Sequence, residues 1–219
     1  GDYGIFTYYM RHSRINNTTI SPMNTSASTP AIKFLSSDYN LITGLDLHKV
    51  GAGLYLETSL KNIIHNLGVS YANGGGVSTT NSINISNSSS NNRFYDVKIS
   101  NQQIVNSSAA IYLANTSTNI FSRVNVSNTG YDAQGILLGP SSFGNIFSQV
   151  VSSFAGDAGI ALIGATVNGN IFTQITAVNN LWNAVYFGSG SMVNNAFISL
   201  VGANHDTGIG DDGANTTGS

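Results

Sequence analysis

The sequence predicts an all-β chain wound as a right-handed, single-stranded parallel β-helix of about seven to eight coils, a solenoid in which each coil touches only its neighbours. Three observations carry this expectation. An asparagine-led motif returns about once per coil, a small-then-apolar element sits between its copies, and the composition combines few charges with enough apolar residues to bury a core.

The first element reads Asn-x-[Phe/Ile]-x-x-[Val/Ile/Leu]. It is clearest as Asn119-Ile-Phe-Ser-Arg-Val124, Asn145-Ile-Phe-Ser-Gln-Val150 and Asn170-Ile-Phe-Thr-Gln-Ile175, and further copies start at Asn40, Asn62, Asn92 and Asn195. Apolar residues two apart make a short strand with alternate side chains inward. Residues three apart, such as Phe121 and Val124, imply a bend between two short strands. The asparagine amide is both donor and acceptor. Asn40, Asn62, Asn92, Asn119, Asn145, Asn170 and Asn195 are therefore expected to stack as a hydrogen-bonded ladder, a structural role that identifies no activity.

The second element, [Gly/Ala]-[Ile/Val]-x-[Leu/Phe], is read at Ala110-Ile-Tyr-Leu113, Gly135-Ile-Leu-Leu138, Gly159-Ile-Ala-Leu162 and Ala184-Val-Tyr-Phe187. Earlier versions are Ala31-Ile-Lys-Phe34, Gly53-Leu-Tyr-Leu56 and Gly76-Val-Ser-Thr79, and Gly208-Ile209 looks like a start cut short. Three short strands and their turns close a coil, and stacked coils pair in parallel at about 4.8 Å per rung. Right-handedness follows from the general rule for parallel connections.

The remaining segments divide the chain. Residues 1–30 are aromatic and basic (Tyr3, Phe6, Tyr8, Tyr9, Arg11, His12, Arg14) without a clear repeat, and are expected to be an N-terminal cap or irregular first coil over an open strand edge. Residues 31–209 form the β-helix. Residues 210–219 read as a linker or tail, which suggests flanking domains or stacking on a partner. Residues 80–92 and 101–109 lengthen their coils, and function on solenoids often sits on such insertions.

Charged residues make up 8% of the chain, against about a quarter in ordinary globular domains. The 41% apolar content argues against disorder, so the surface is neutral and hydrogen-bonding, as suits an extracellular or cell-surface protein. The absence of cysteine excludes disulfides and thiolate metal sites. All Lys and Arg lie at or before Arg123, and only Asp132, Asp157, Asp206, Asp211 and Asp212 are charged beyond it. Nucleic acid is thereby excluded as a partner, since phosphate binding needs a basic surface. No apolar run approaches the roughly 18 residues of a membrane span.

With both elements in place, Asn-Ile-Phe-Ser-x-Val plus Gly-Ile-x-Leu resembles the parallel β-helix repeat of pectate-lyase-like and NosD-type proteins over residues 31–209. The resemblance implies the fold. It does not choose a function, because such proteins include polysaccharide lyases, glycosidases, epimerases, phage tailspikes, adhesins and surface-layer proteins.

Asp132, Asp157, Trp182 and Asp206 recur just before the second element, which places them in one column on successive coils with His205 beside it. Carboxylates on adjacent rungs would lie about 5 Å apart, a separation that retaining glycosidases use. Asp132 and Asp157 are thus the catalytic candidates. Asp157, Trp182, His205 and Asp206 are the ligand-binding candidates, with Trp182 able to stack on a sugar ring. Acidic columns also bind Ca²⁺, the one cofactor considered. Asp before Gly is equally ordinary turn chemistry. His48 and His65 occupy different places in their repeats, which speaks against a shared metal site. Asp96 and Arg123, equivalent on consecutive coils, are expected to pair.

Outward apolar residues in the later coils (Leu137, Val151, Ile198, Val201) suggest a covered face, by a trimer mate, a stacked copy or another domain. The function expected is a non-catalytic extracellular or cell-surface module, structural, adhesive or glycan-binding, that presents turn loops from a rigid rod. The alternative is a polysaccharide-processing enzyme, namely a glycoside hydrolase, lyase or tailspike-like depolymerase, or a fragment of one. The lack of an acid–base cluster weighs against catalysis, and the lack of Lys or Arg in the acidic half weighs against lyase chemistry. Sequons at Asn17, Asn84, Asn115 and Asn125 matter only in a source that glycosylates.

Overall fold

Each Asn-led motif opens the longest strand of its coil, and each small-then-apolar motif forms the strand that follows. In the computed structural model, which describes residues 4–21, 29–50, 52–70, 81–102, 108–212 and 215–217, these strands stack into an all-parallel β-solenoid of about 7 turns. Among the described residues, a nine-stranded sheet runs from Ile5–Tyr8 to Thr207–Asp211. An eight-stranded sheet of the long strands runs from Arg14–Ile20 to Ala196–Ala203. Short paired strands such as Thr116–Ser117 and Ser142–Phe143 bridge the two. The register sets repeat on repeat: Phe121 pairs with Phe94 and Phe147, and Val124 with Val97 and Val150.

The expected bend is a single left-handed residue in each long strand. Gly44, Asn66, Asp96, Arg123, Gln149 and Gln174 hold φ of 64°, 53°, 57°, 56°, 54° and 54°. A left-handed residue swings the chain through a corner in one step, so the apolar residues on either side, three apart, both face inward. Asp96 and Arg123 meet across this corner in a two-pronged pair, with Nε to Oδ1 at 2.6 Å and Nη2 to Oδ2 at 2.9 Å.

The asparagines form a continuous ladder. Asn119 Oδ1 accepts both the backbone N–H and the Nδ2 of Asn92, at 3.0 and 3.1 Å, and the same pattern links Asn40 to Asn62 and Asn170 to Asn195. Nδ2 also reaches back to a turn carbonyl, as from Asn62 to Ser37 at 2.8 Å. Ser13 precedes the ladder and donates its N–H to Asn40 Oδ1 at 3.0 Å. Beneath it, the rings of Phe94, Phe121, Phe147, Phe172 and Phe197 stack at centroid distances of 4.5, 4.7, 5.1 and 4.5 Å, nearly parallel. A second ladder, of buried hydroxyls, lines the preceding turn. Ser59 Oγ accepts the Ser37 N–H at 3.1 Å and Ser89 Oγ the Ser59 N–H at 3.0 Å, with Thr116 and Ser142 buried in the same column.

The glycine or alanine opening the second element has a packing cause. A Cβ on Gly135 would run into Ser152 Oγ and the Gly159 carbonyl, and one on Gly53 into the Ser82 carbonyl. At these two positions the neighbouring coil presses so close that only a hydrogen fits.

Three expectations change. The third coil's second element is Ser82-Ile-Asn-Ile85, within the strand Ile83–Ser86 that pairs with Ala52–Glu57 and Ala109–Leu113; Gly76-Val-Ser-Thr79 falls outside the described residues. Residues 80–92 are therefore mostly strand and ladder rather than an inserted loop. Within 1–30, expected as a cap or an irregular first coil, Ile5–Tyr8 and Arg14–Ile20 add a strand to each sheet, in register with the coil that follows. The 210–219 segment, expected as linker, instead ends the strand Thr207–Asp211 and includes Asn215–Thr217, paired with Ser191–Val193.

Candidate functional site

The corner where the long strand ends and the nine-stranded sheet begins is built differently from the ladder corner. Its turning residue is again left-handed: Lys49, Asn101, Asn128, Phe154, Asn179 and Asn204 have φ between 52° and 59°. Asparagine tolerates this conformation because its short polar side chain bonds locally; a phenylalanine there is an outlier. Asn128 donates to Asn101 Oδ1 at 3.1 Å and Asn204 to Asn179 Oδ1 at 2.8 Å, both on the surface. Phe154 breaks the column between these pairs and leaves 54% of its surface in water.

An open depression of about 410 Å³ lies here, lined by Phe154, Asn179, Asn180, Leu181, Asn204, His205 and Asp206. Asn180 forms its inner wall and is held by accepting the Ala155 N–H at 2.9 Å. Both ring nitrogens of His205 are buried without a hydrogen-bond partner. Leu181, which lines it, and Trp182, the next residue, are 46% and 52% exposed.

The predicted column is kept for three of its four members. Ile160 pairs with Val185 and Val185 with Ile209, so Asp157, Trp182 and Asp206, three residues before each, stack on successive coils. Trp182 donates its N–H to the Asp157 carbonyl at 3.1 Å, and Thr207 to that of Trp182 at 2.9 Å. Asp132 drops out. Tyr131 pairs with Gly156 but Ile136 with Ile160, so the Asp132 coil carries one extra residue at this corner, and the Asp157 N–H bonds the Ala133 carbonyl. Asp132 itself takes the left-handed turn, with φ 56°. Sequence spacing of 25 could not reveal a one-residue slip inside the coil.

Asp157 accepts a 2.6 Å hydrogen bond from Gln134 Nε2. Partial burial raises its pKa above the ordinary aspartate value; the Gln134 bond opposes this, while the nearby charge of Asp132 adds to it. Gln134 is buried, and its Oε1 has no partner. Farther across the sheet, Tyr186 donates to Asp212 Oδ2 at 2.6 Å, and that bond, with burial and the negative charge nearby, pushes the phenol up to about 12. On the same outer face Tyr112, Ile163 and Tyr186 pack over Leu137, Ala158 and Ala161. Leu137 is therefore covered by the chain's own side chains, whereas Val151, Ile198 and Val201 are exposed.

Asp132 lies near enough to Asp157 for its charge to add to the raised pKa of that carboxyl. Among the described residues no group of three or more His, Cys, Asp or Glu gathers as metal ligands. What the corner offers chemically is apolar rings, neutral amides and carboxylates side by side. Sequence reasoning missed Phe154, Leu181, Asn179 and Asn204; the signal that could have found them is an asparagine recurring nine residues after the ladder position, replaced once by phenylalanine.

No family model matches the chain, and neither does any curated protein. Among solved structures it is similar to the periplasmic alginate epimerase AlgG, with 12% identity and a TM-score of 0.50 over 90% of this chain and 58% of that one. A mutant of the same enzyme aligns at 14% identity and a TM-score of 0.43, over 91% and 50%. The chain thus spans little more than half the length of these proteins. The likeness is one of fold. No helix among the described residues is long and apolar enough to cross a membrane.

Proposed function

We propose that the chain is an extracellular or cell-surface β-helix module that binds glycan at this corner without chemically changing it. The observation that carries the reading is the depression in which Phe154 and Leu181 lie beside Asn179, Asn204 and Asp206, with the exposed Trp182 following Leu181 in the chain. A pyranose has an apolar face of C–H bonds and a rim of hydroxyls. Aromatic side chains with an exposed ring supply contact area for such a face at low entropy cost, and amides and carboxylates bond the rim. The rods supply rigidity: the buried ladders fix where the loops stand.

The experiment is binding of the chain to immobilised polysaccharides, with Phe154→Ala and Trp182→Ala as variants. Loss of about tenfold or more in affinity, with the fold intact by circular dichroism, supports the reading; hot-spot aromatics commonly cost this much. Unchanged binding in both variants would rule this corner out.

A second reading, polysaccharide processing, is favoured by one observation: Asp157 is partly buried, with its pKa raised and a second carboxylate near it, as a general acid requires. The similar fold of an alginate epimerase, an enzyme acting on a polysaccharide, is compatible with it. Turnover of a polysaccharide that disappears in Asp157→Asn would establish this reading over the first.

A further inference from the structure

Resting on the glycan-binding reading, we propose that the corner selects uncharged polysaccharide chains and rejects chains that carry a carboxylate on each sugar. The distribution of charge carries this inference. Lys and Arg stop at Arg123, whereas Asp132, Asp157 and Asp206 all lie beyond it. The ion pairs among the described residues join Arg11 to Asp38, Lys33 to Glu57 and Arg123 to Asp96. None reaches the corner.

Asp157 and Asp206 stand two rungs apart with Trp182 between them, about 10 Å at about 4.8 Å per rung, which is about one Debye length in 0.1 M salt. Their fields therefore overlap across the depression, and Asp132 adds to that of Asp157 from the adjoining turn. Gln134 occupies one oxygen of Asp157 but brings no charge. The rest of the lining holds neither Lys nor Arg: it is the amides of Asn179, Asn180 and Asn204, the ring of Phe154, the side chain of Leu181 and the imidazole of His205, whose ring nitrogens are buried.

An uncharged sugar suits this set. Its hydroxyls donate to the carboxylates, its ring oxygens and hydroxyls accept from the amides, and its C–H face covers the apolar side chains. A uronate chain brings one negative charge per sugar to a corner where, among the described residues that line it, neither Lys nor Arg stands to receive it. Rejection then comes from the built-in repulsion, while the attractive contacts stay available to both kinds of chain.

The test uses polymers that share a backbone and differ in charge: hydroxyethyl- against carboxymethyl-cellulose, and methyl-esterified against de-esterified homogalacturonan, titrated calorimetrically into the whole chain. The neutral member of at least one pair is expected to bind about tenfold more tightly than its acidic partner at low salt, with the gap shrinking in 1 M salt, where the Debye length falls to about 3 Å. The triple variant Asp132→Asn, Asp157→Asn, Asp206→Asn should move that ratio toward one. An acidic polymer that binds as tightly as its neutral partner at low salt overturns the inference while leaving the glycan-binding reading in place, as does a ratio unmoved in the triple variant. Failure of both neutral polymers to bind counts against the glycan-binding reading itself, and the inference falls with it.

Discussion

The two corners that bound each long strand use the same residue type to opposite ends. At the strand's start, asparagines are buried, and each amide bonds its neighbours above and below. At its end, the asparagine pairs are exposed, one coil substitutes Phe154, another inserts a residue at Asp132, and His205 and Gln134 keep polar atoms without partners. A column whose hydrogen bonds are all made has no room for variation. A column with groups left over can differ from coil to coil without disturbing the rod, and it is there that rings and carboxylates collect.

The comparison can be broken at several points. Phe147→Ala, in the stack under the ladder, should cost most, about 3–5 kcal/mol by chemical denaturation, since the rings of Phe121 and Phe172 would face a void. Next comes a matched pair. Asn119→Ala leaves the Asn92 amide and N–H without their acceptor and should cost about 2–3 kcal/mol, whereas Asn204→Gly, on the surface and in a left-handed turn that glycine also tolerates, should stay within about 0.5 kcal/mol. Equal costs at the two positions would erase the distinction between the corners.

Phe154→Asn should go the other way. It relieves a bulky left-handed residue and joins the two outer asparagine pairs, so the chain should gain about 1 kcal/mol in stability while glycan binding falls. A stability gain with binding unchanged would sever the link between irregularity and function.

The smallest effect is one of pH. The folded pKa of Asp157 lies above the unfolded one, so its contribution to stability is fully present below the ordinary aspartate range, about pH 4, and is lost as pH rises through the raised folded value. Asp157→Asn should flatten that loss, by under about 1 kcal/mol because the group is partly solvated. Glu57, held below its usual value by Lys33, has the opposite sign: its contribution is present above the ordinary glutamate range and lost as pH falls through the lowered folded value. Melting curves of the wild type and Asp157→Asn between about pH 3 and 7 separate the two, and a difference that grows more favourable to the wild type as pH rises would contradict the assignment.

Much of the rod was legible in the sequence, because asparagine followed two residues later by Phe or Ile is rare enough to show its period. The hydroxyl ladder keeps the same period, but Ser37, Ser59 and Ser89 are lost among the many other serines. Ser82-Ile-Asn-Ile85 was hidden because its neighbours are Asn and Ser, and Ser13 because a serine there presents no amide. Of the site, Trp182 and Asp206 were found by spacing alone. Asp132 was misplaced because the extra residue of its coil is absorbed inside a turn, where period cannot register it. Phe154 was passed over because burial is the default for phenylalanine, and only its backbone angle shows it to be turned out.

The ladder has a consequence for the length of the molecule. Asn145 and Asn170 hold the same phase, 25 residues apart. Excising residues 145–169 and joining Gly144 to Asn170 would set Asn170 against Asn119 and the Phe172 ring on Phe121, replacing Asn145 and Phe147 with residues of the same kind. Length is thus a quantity the fold takes in whole steps, each added or removed without re-engineering the rest. That step would carry off Phe154 and Asp157 while leaving a sound, shorter rod, so a lineage could lose or acquire recognition by a single in-frame change.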